Sequence, residues 1–281
     1  MSSATGETSG QLRIIAILQT FNERRFVATC IEHLNAQGVS VYLIDNDSTD
    51  DTLEIAERYL GRGVVGIERM PRLDSWDLWR QLERKQELAA SLDADWFMHV
   101  DADELHTTHD PRKTLAEAFA EVDAQGFNAV NFLEFTFVPT AESPDHDHPD
   151  FVRTMQWYYP YGQKYPNRVN AWKRQEDPVE LVTSDGHEVD FPGLRIAPRN
   201  LCMRHYMFLS VEHACEKWSR ETTTEPVRAA HERAKGKGNW RIWFHPGMIE
   251  LPSERKLRQV VPGRPLDRTE PVQHHLAIRM P

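Results

Sequence analysis

Over the first hundred or so residues, apolar positions alternate between two spacings. Residues 12–18 (LRIIAIL) form a β-branched run of the kind that a strand buried on both faces requires. Residues 24–37 then place Phe26, Val27, Cys30, Ile31 and Leu34 at helical spacing, and Gly38 supplies a C-terminal stop. A second strand is predicted over 39–44. The helix after it has Leu53, Ile55, Ala56, Tyr59 and Leu60 on its periodic positions, with Ser48 or Thr49 available as a cap. Residues 64–68 give a third short strand, 76–92 a long helix, and the run from Trp96 to Val100 a fourth strand. This order, with short connections, predicts a parallel sheet with helices on both faces. Right-handed crossovers then bring the turns at 20–23, 45–47 and 101–103 to one edge of that sheet.

That edge is acidic and polar. The fourth strand runs straight into Asp101, Asp103 and Glu104, and the second into Asp45, Asp47, Asp50 and Asp51. If the strand continues, Asp101 and Asp103 project to one face, where their repulsion is relieved by a hard divalent cation. A solvated acidic turn accounts for the same residues without a ligand. Two further polar turns at the same edge favour a binding rim, since open α/β sheets bind ligands at the carboxyl ends of their strands. The sequence has neither GxGxxG after its first strand nor GxxxxGK[ST] anywhere, which removes the main support for dinucleotide oxidoreduction and P-loop phosphoryl transfer.

The later pattern is more mixed. A helix is predicted over 111–124, one strand over 126–138, a strand over 167–173 carrying Arg168 and Lys173, and a helix over 211–220. Residues 141–150 are rich in Pro, Asp and His; His146 and His148 there suit either a metal cluster or a loop. Trp157, Tyr158, Tyr159 and Tyr161 serve either as a stacking platform for a sugar or as core.

Composition adds bounds. The chain has 281 residues, 40% hydrophobic and 27% charged, as expected of a globular domain. A net charge of −10 argues against a general nucleic-acid binder. Cys30, Cys202 and Cys215 show no paired spacing, and a reducing cytoplasm suits them best. Residues 1–11 are small and polar and read as a disordered leader, and no apolar run is long enough to span a bilayer.

Three segments carry a family resemblance. Leu18-Gln19-Thr20-Phe21-Asn22-Glu23 resembles a first-strand "TYNE" motif, residues 44–52 resemble "vDdgSTDgT", and Val100-Asp101-Ala102-Asp103-Glu104 resembles a DxD motif in its "DADE" form. In this order, over residues 12–105, they resemble the nucleotide-binding half of a GT-A-fold glycosyltransferase of the family-two type. The resemblance implies an α/β GT-A (Rossmann-like) fold with a mostly parallel central sheet flanked by helices. It implies a domain over 12–250, with a nucleotide-sugar half at 12–105 and an acceptor half at 106–250. Residues 251–281 follow as a basic lid or tail.

The resemblance also implies site residues. Thr20, Phe21, Asn22, Glu23, Asp45, Asp47, Asp101 and Ala102 would hold the nucleotide-diphospho-sugar, with Arg84 from the third helix. Asp103 with Asp101 would hold Mn2+ or Mg2+, and His205 would be the third metal ligand. Residues 204–220 resemble RHYxxxSxxHAxxKxxxR of one subgroup, with the spacing altered at its end; Lys217 and Arg220 there would clamp the diphosphate. Where that family has glycine in its second motif, this chain has Asp47. An inverting reaction needs a general base near the acceptor hydroxyl. His187, Asp185 and Glu134 qualify by residue type, as does Glu188, and the sequence does not choose among them. The expectation is a metal-dependent glycosyltransferase acting on an unidentified glycan, lipid or small-molecule hydroxyl. The rivals are a nucleotidyltransferase and a catalytically silent nucleotide-sugar or glycan binder.

Overall fold

The computed structural model describes residues 12–72, 78–162, 166, 168–220 and 249–277. The leader expected over 1–11 lies outside them. The early alternation resolves as β1 (Ile14–Thr20), α1 (Val27–Ala36), β2 (Ser40–Asp45), α2 (Thr52–Glu57), β3 (Val64–Arg69), α3 (Leu78–Ser91) and β4 (Trp96–Asp101). These four strands are parallel, in the spatial order β3-β2-β1-β4.

β1 is central and sends alternate side chains to opposite faces, as the two-residue period of a strand demands. Ile14, Ala16 and Leu18 enter the core shared with Val27, Cys30, Ile31 and Leu34 of α1. Ile15 and Ile17 enter the core shared with Leu82, Leu88 and Ala89 of α3. The expected α/β architecture, a mostly parallel central sheet flanked by helices, is therefore present. Strand register sets up the rim. Thr20 lies opposite Asp45 and Gln19 opposite Asp101, so the three strands finish nearly level. After α1 the chain turns at Gly38, whose φ is +77°; a Cβ there would stand 2.7 Å from the Cβ of Ala116.

Beyond β4 the structure departs from the sequence pattern. Asp101 ends the strand, Ala102 and Asp103 form a turn, and Glu104 begins β5 (Glu104–Thr107) in a different sheet. Asp101 and Asp103 therefore do not share one face of a continuing strand; they straddle a junction between sheets. α4 (Leu115–Ala124) follows, with Thr114 and Glu117 forming a reciprocal capping box.

The single strand expected over 126–138 is likewise divided. β6 (Ala129–Val130) belongs to the first sheet and β7 (Phe132–Phe137) to the second. The break is Asn131, fully buried, whose Oδ1 accepts the Arg168 N–H at 3.1 Å and whose Nδ2 donates to Asn200 Oδ1 at 3.1 Å. A buried amide is tolerated where its hydrogen bonds are met, and here those bonds cross-link the switch. The remaining elements are α5 (Phe151–Thr154), β8 (Trp157–Tyr161), β9 (Ala171–Lys173), β10 (Leu201–Tyr206), α6 (Val211–Arg220) and β11 (Arg258–Gln259). β9 joins β4 antiparallel in the first sheet, and the second sheet runs β11-β8-β7-β10-β5.

Residues 249–277 pack on that second sheet. Ile249, Leu251, Leu257, Val272 and Leu276 meet Val138, Tyr159 and Phe208. Tyr158 and Tyr159 are core residues, 2% exposed each, while Trp157 and Tyr161 are half-buried. His275 stacks on Tyr161 with ring centroids 4.1 Å apart. Among the described residues no helix is long and apolar enough to cross a membrane.

Candidate active site

A cavity of about 300 Å3 opens where the two sheets meet. Gln19, Thr20, Phe21 and Glu23 line it from the end of β1 and its turn, and Asp101, Ala102, Asp103 and Glu104 from the sheet junction. His205 reaches it from β10, Lys217 from α6 and His187 from the loop before residue 190. Most of the expected donor and metal residues thus gather in one place, although they come from segments more than a hundred positions apart.

A chain of alternating charges crosses the site. Lys217 Nζ stands 2.5 Å from Asp103 Oδ2, and His205 Nε2 lies 3.5 Å from the same oxygen. The other ring nitrogen, Nδ1, is 2.8 Å from Glu134 Oε1. Glu134 Oε2 accepts two bonds from the Arg168 guanidinium, at 3.0 and 2.9 Å, and Oε1 accepts from Thr136 at 3.1 Å. Burial by itself would raise the pKa of Asp103, but the charges of Lys217 and His205 outweigh it and hold the carboxyl well below its usual range. Burial likewise opposes a charge on His205, yet Asp103 and then Glu134 lift its pKa to about 10. Glu134 is driven down in spite of burial, chiefly by Arg168. At neutral pH the five groups therefore alternate in sign from Lys217 to Arg168.

Glu104 behaves differently. It is 2% exposed, and burial followed by the charge of Asp101 pushes its pKa up to about 8. Its Oε2 has no hydrogen-bond partner among the described residues. Behind Asp101 stands a second buried pair, in which Lys85 Nζ lies 2.9 Å from His99 Nδ1 and His99 Nε2 lies 3.9 Å from Asp101 Oδ1. Gly186, with φ +81°, packs on His99 so closely that a Cβ would sit 2.7 Å from the ring.

The first two turns are stapled together. Asn22, at φ 58°, accepts the Thr49 N–H at 2.7 Å on its side-chain oxygen, and its own N–H donates to Ser48 Oγ at 2.9 Å. Asp45 is 1% exposed and accepts from Ser48 N–H at 3.0 Å, with Thr20 Oγ1 3.4 Å away. Asp47 has φ 56° and accepts the Arg72 N–H at 2.8 Å. A left-handed backbone at this place explains why the related motif uses glycine. The Arg72 guanidinium lies 3.7 Å over the Phe21 ring on the cavity wall.

Several expected residues lie elsewhere. Arg84 does not line the cavity; it pairs with Glu68 at 2.8 Å and Glu87 at 2.7 Å, because its place on α3 is off the buried stripe. Asn22, Asp45 and Asp47 support the rim and are not among its lining residues. Glu134 is 1% exposed with both oxygens engaged, so it stands behind His205 instead of facing an acceptor. Asp185 takes the left-handed position after the short 3-10 turn at Val182–Ser184, while its neighbour His187 lines the cavity. The Arg220 side chain lies outside the described residues. Lys173 pairs with Asp123 at 2.6 Å, away from the cavity. His146 is held by Thr154 Oγ1 at 3.0 Å.

The three expected metal ligands are not brought together as a trio. Among the described residues no group of three or more His, Cys, Asp or Glu side chains is placed to hold a metal ion. The turn after β4 separates Asp101 from Asp103, and Asp101 faces His99 instead. Asp103 and His205 do converge, and Glu134 holds the far nitrogen of the ring. An imidazole backed by a carboxylate in this way is the usual presentation of a histidine to a metal. A hard cation such as Mg2+ commonly takes one or two protein ligands and completes its shell with phosphate oxygens and water. The pair fits that smaller role.

Sequence reasoning put Glu104 on the acidic edge without assigning it a role, and missed Arg72, Gln81 and Met207 on the wall and Lys85 with His99 behind it. Lys85 left a signal: it occupies an apolar position in the stripe Gln81, Leu82, Lys85, Leu88, Ala89.

Comparison with known proteins adds the following. The family profile described as Glycosyl transferase family 2 matches residues 15–174, more than half the chain. An uncharacterized protein of Mycobacterium tuberculosis and one of Mycobacterium bovis are each 28% identical over 222 residues, covering 72% of this chain and 52% of the relative. The chain thus spans about half the length of the curated relatives it matches. Among solved structures, S. aureus TarS 1-349 in complex with UDP aligns with a TM-score of 0.42 and 12% identity, over 70% of this chain and 61% of that one. Glucosyl-3-phosphoglycerate synthase from Mycobacterium tuberculosis, in complex with Mn2+, UDP and phosphoglyceric acid, aligns with a TM-score of 0.30 and 17% identity, over 44% and 43%.

Proposed function

The chain belongs to glycosyl transferase family 2, with the GT-A type of α/β fold, and on that premise we propose that it moves a sugar from a nucleoside-diphosphate donor to a hydroxyl acceptor. The observation that carries this reading is the Asp103–His205 pair, backed by Glu134, on a cavity that the "TYNE"-like turn also lines. A donor of this class leaves as a diphosphate, so the site must meet negative charge that grows in the transition state.

A divalent cation held by Asp103 and His205 would neutralise that charge as a Lewis acid. The chain's own groups do the rest. Thr20, Phe21 and Glu23 would receive the nucleoside, with Asp45 holding the Ser48 turn in place beneath it. Asp101 would meet the ribose and sugar. Lys217 would add its charge to the diphosphate. Of the four candidate bases, His187 is the one on the cavity wall, and we assign it the proton of the acceptor hydroxyl in an inverting displacement.

Thermal unfolding with UDP, GDP and dTDP, each with and without Mn2+ or Mg2+, tests this directly. One nucleotide should raise the midpoint in a metal-dependent way, and Asp103→Asn should abolish the effect. Absence of a metal-dependent shift with every nucleotide refutes the donor site. Slow release of sugar from a nucleotide-sugar by the protein, lost in His187→Ala, separates a transferase from a binding protein.

A further inference from the structure

Asp103 accepts two cations on a single oxygen. Lys217 Nζ lies 2.5 Å from Oδ2 and His205 Nε2 3.5 Å from it. The carboxylate is nearly enclosed, its side chain 8% exposed, and the Lys217 side chain is 17% exposed. Lys217 also lies 3.4 Å from the Met207 carbonyl and 5.8 Å from the centre of the Phe26 ring. The amine is thus seated among acceptors and does not wave in solvent. It is carried by α6, whose first turn is held by Ser210 Oγ accepting the His213 N–H at 3.0 Å and by the Leu209 N–H donating to His213 Nδ1 at 3.1 Å.

A metal ligated by Asp103 and His205 would replace the proton on His205 Nε2 and bring a divalent charge beside the carboxylate oxygen that Lys217 contacts. Two cations within one ion-pair distance of each other repel strongly in a partly desolvated site, the more so when one is divalent. The lysine and the metal therefore cannot share Oδ2 at full strength. A diphosphate changes the balance, because its oxygens offer the ammonium another anion within the same cavity.

We propose that Lys217 is a tethered counter-ion of Asp103 that a divalent cation must displace, and that a diphosphate couples the two by taking over the lysine. Metal and diphosphate then bind with positive cooperativity, each raising the affinity of the other by the same factor. The metal alone binds weakly, so the site is charged fully when donor and cation arrive together. The first half of this statement concerns the metal and the lysine; its diphosphate half rests on the donor reading above.

The test is Mn2+ binding to the full chain, followed by the electron paramagnetic resonance of the unbound ion, with and without UDP. Lys217→Met should bind Mn2+ alone roughly tenfold or more tightly than the parent protein, with a smaller gain on adding UDP. Lys217→Arg, which keeps a cation beside the carboxylate, should stay near the parent value. Equal or weaker Mn2+ binding in Lys217→Met overturns the proposal, as does equal affinity in Lys217→Arg and Lys217→Met. Tighter Mn2+ binding in Lys217→Met with no response to UDP in either protein sustains the exchange and overturns the donor reading instead.

Discussion

Replacing Lys85 by Met should stabilise the protein at neutral pH and destabilise it in alkali. Lys85 is fully buried on α3, at a position whose helical neighbours include Leu82, Leu88 and Ala89. Burial brings its pKa from 10.5 down to about 8, with the charge of Asp101 offsetting only part of the fall. At about 1.4 kcal/mol for each tenfold change in proton affinity, holding the charged amine at pH about 7 costs the folded state roughly 3 kcal/mol. Methionine has nearly the same reach and removes that cost. It also removes the donor to His99 Nδ1, a bond of 2.9 Å, and a buried acceptor left without its partner loses roughly 1–2 kcal/mol. The net gain near neutrality is therefore about 1–2 kcal/mol.

The sign with pH follows from linkage. The folded-state pKa lies below the unfolded value, so between about 8 and 10.5 the unfolded chain holds more protons and the parent protein gains stability as pH rises. The Met variant has no such group. Its advantage should shrink across that window and reverse by its upper end, where the parent keeps a neutral amine and its bond to His99. Urea unfolding of both proteins at pH about 7 and about 10 reads the crossover. A difference that stays constant with pH would refute the assignment of a strained, buried ammonium.

Other substitutions probe the remaining supports. Glu134→Gln should cost about 3–5 kcal/mol in chemical unfolding, since it leaves the Arg168 guanidinium, 12% exposed, without its counter-charge; a loss under about 1 kcal/mol would mean that water compensates it. Asp47→Ala should lose about 1–2 kcal/mol through the left-handed backbone and the missing bond to Arg72 N–H. Asp47→Gly should recover the backbone part of that loss but not the bond to Arg72, and equal destabilisation by both would reject the conformational explanation. Gly38→Ala should cost roughly 2 kcal/mol or more, from positive φ and the overlap with Ala116, read as a fall in the thermal midpoint.

The first sheet was legible because its strands are buried on both faces and its helices on one. β1 shows this best: each of its first five residues enters one of two cores, so periodicity leaves an unbroken run. The sheet switches were not legible. Phe132 to Phe137 continues the apolar character of what precedes it, Glu104 to Thr107 is too short and mixed to show a period, and periodicity is blind to which sheet a strand joins. Asn131 was the available sign, one amide in an apolar run that must have its hydrogen bonds met. Arg84 was assigned to the donor with the other residues that the family resemblance implies. On α3 it lies next to the buried stripe, and Glu68 on the neighbouring strand claims it. Glu134 looked like a candidate base on residue type, but type does not reveal that Arg168 and His205 will fill both oxygens.

The second sheet explains why two of the three expected metal residues, Asp103 and His205, come together and the third stands apart. Register places His205 opposite Glu104 on β5 and opposite Thr136 on β7. A histidine on the strand between them is thereby held between the start of β5, just after Asp103, and the acid two residues before Thr136. Cross-strand neighbours of this kind stand close enough to interact directly, and the 2.8 Å contact with Glu134 fixes which nitrogen faces Asp103. Asp101 has no such neighbour on the second sheet, because it is the last residue of a strand in the first. The DxD spacing that looks like one chelating unit in the sequence is therefore split by the fold into two roles. One acid is paired with a histidine, and the other stands half-open at the mouth of the cavity, where its side chain is 45% exposed.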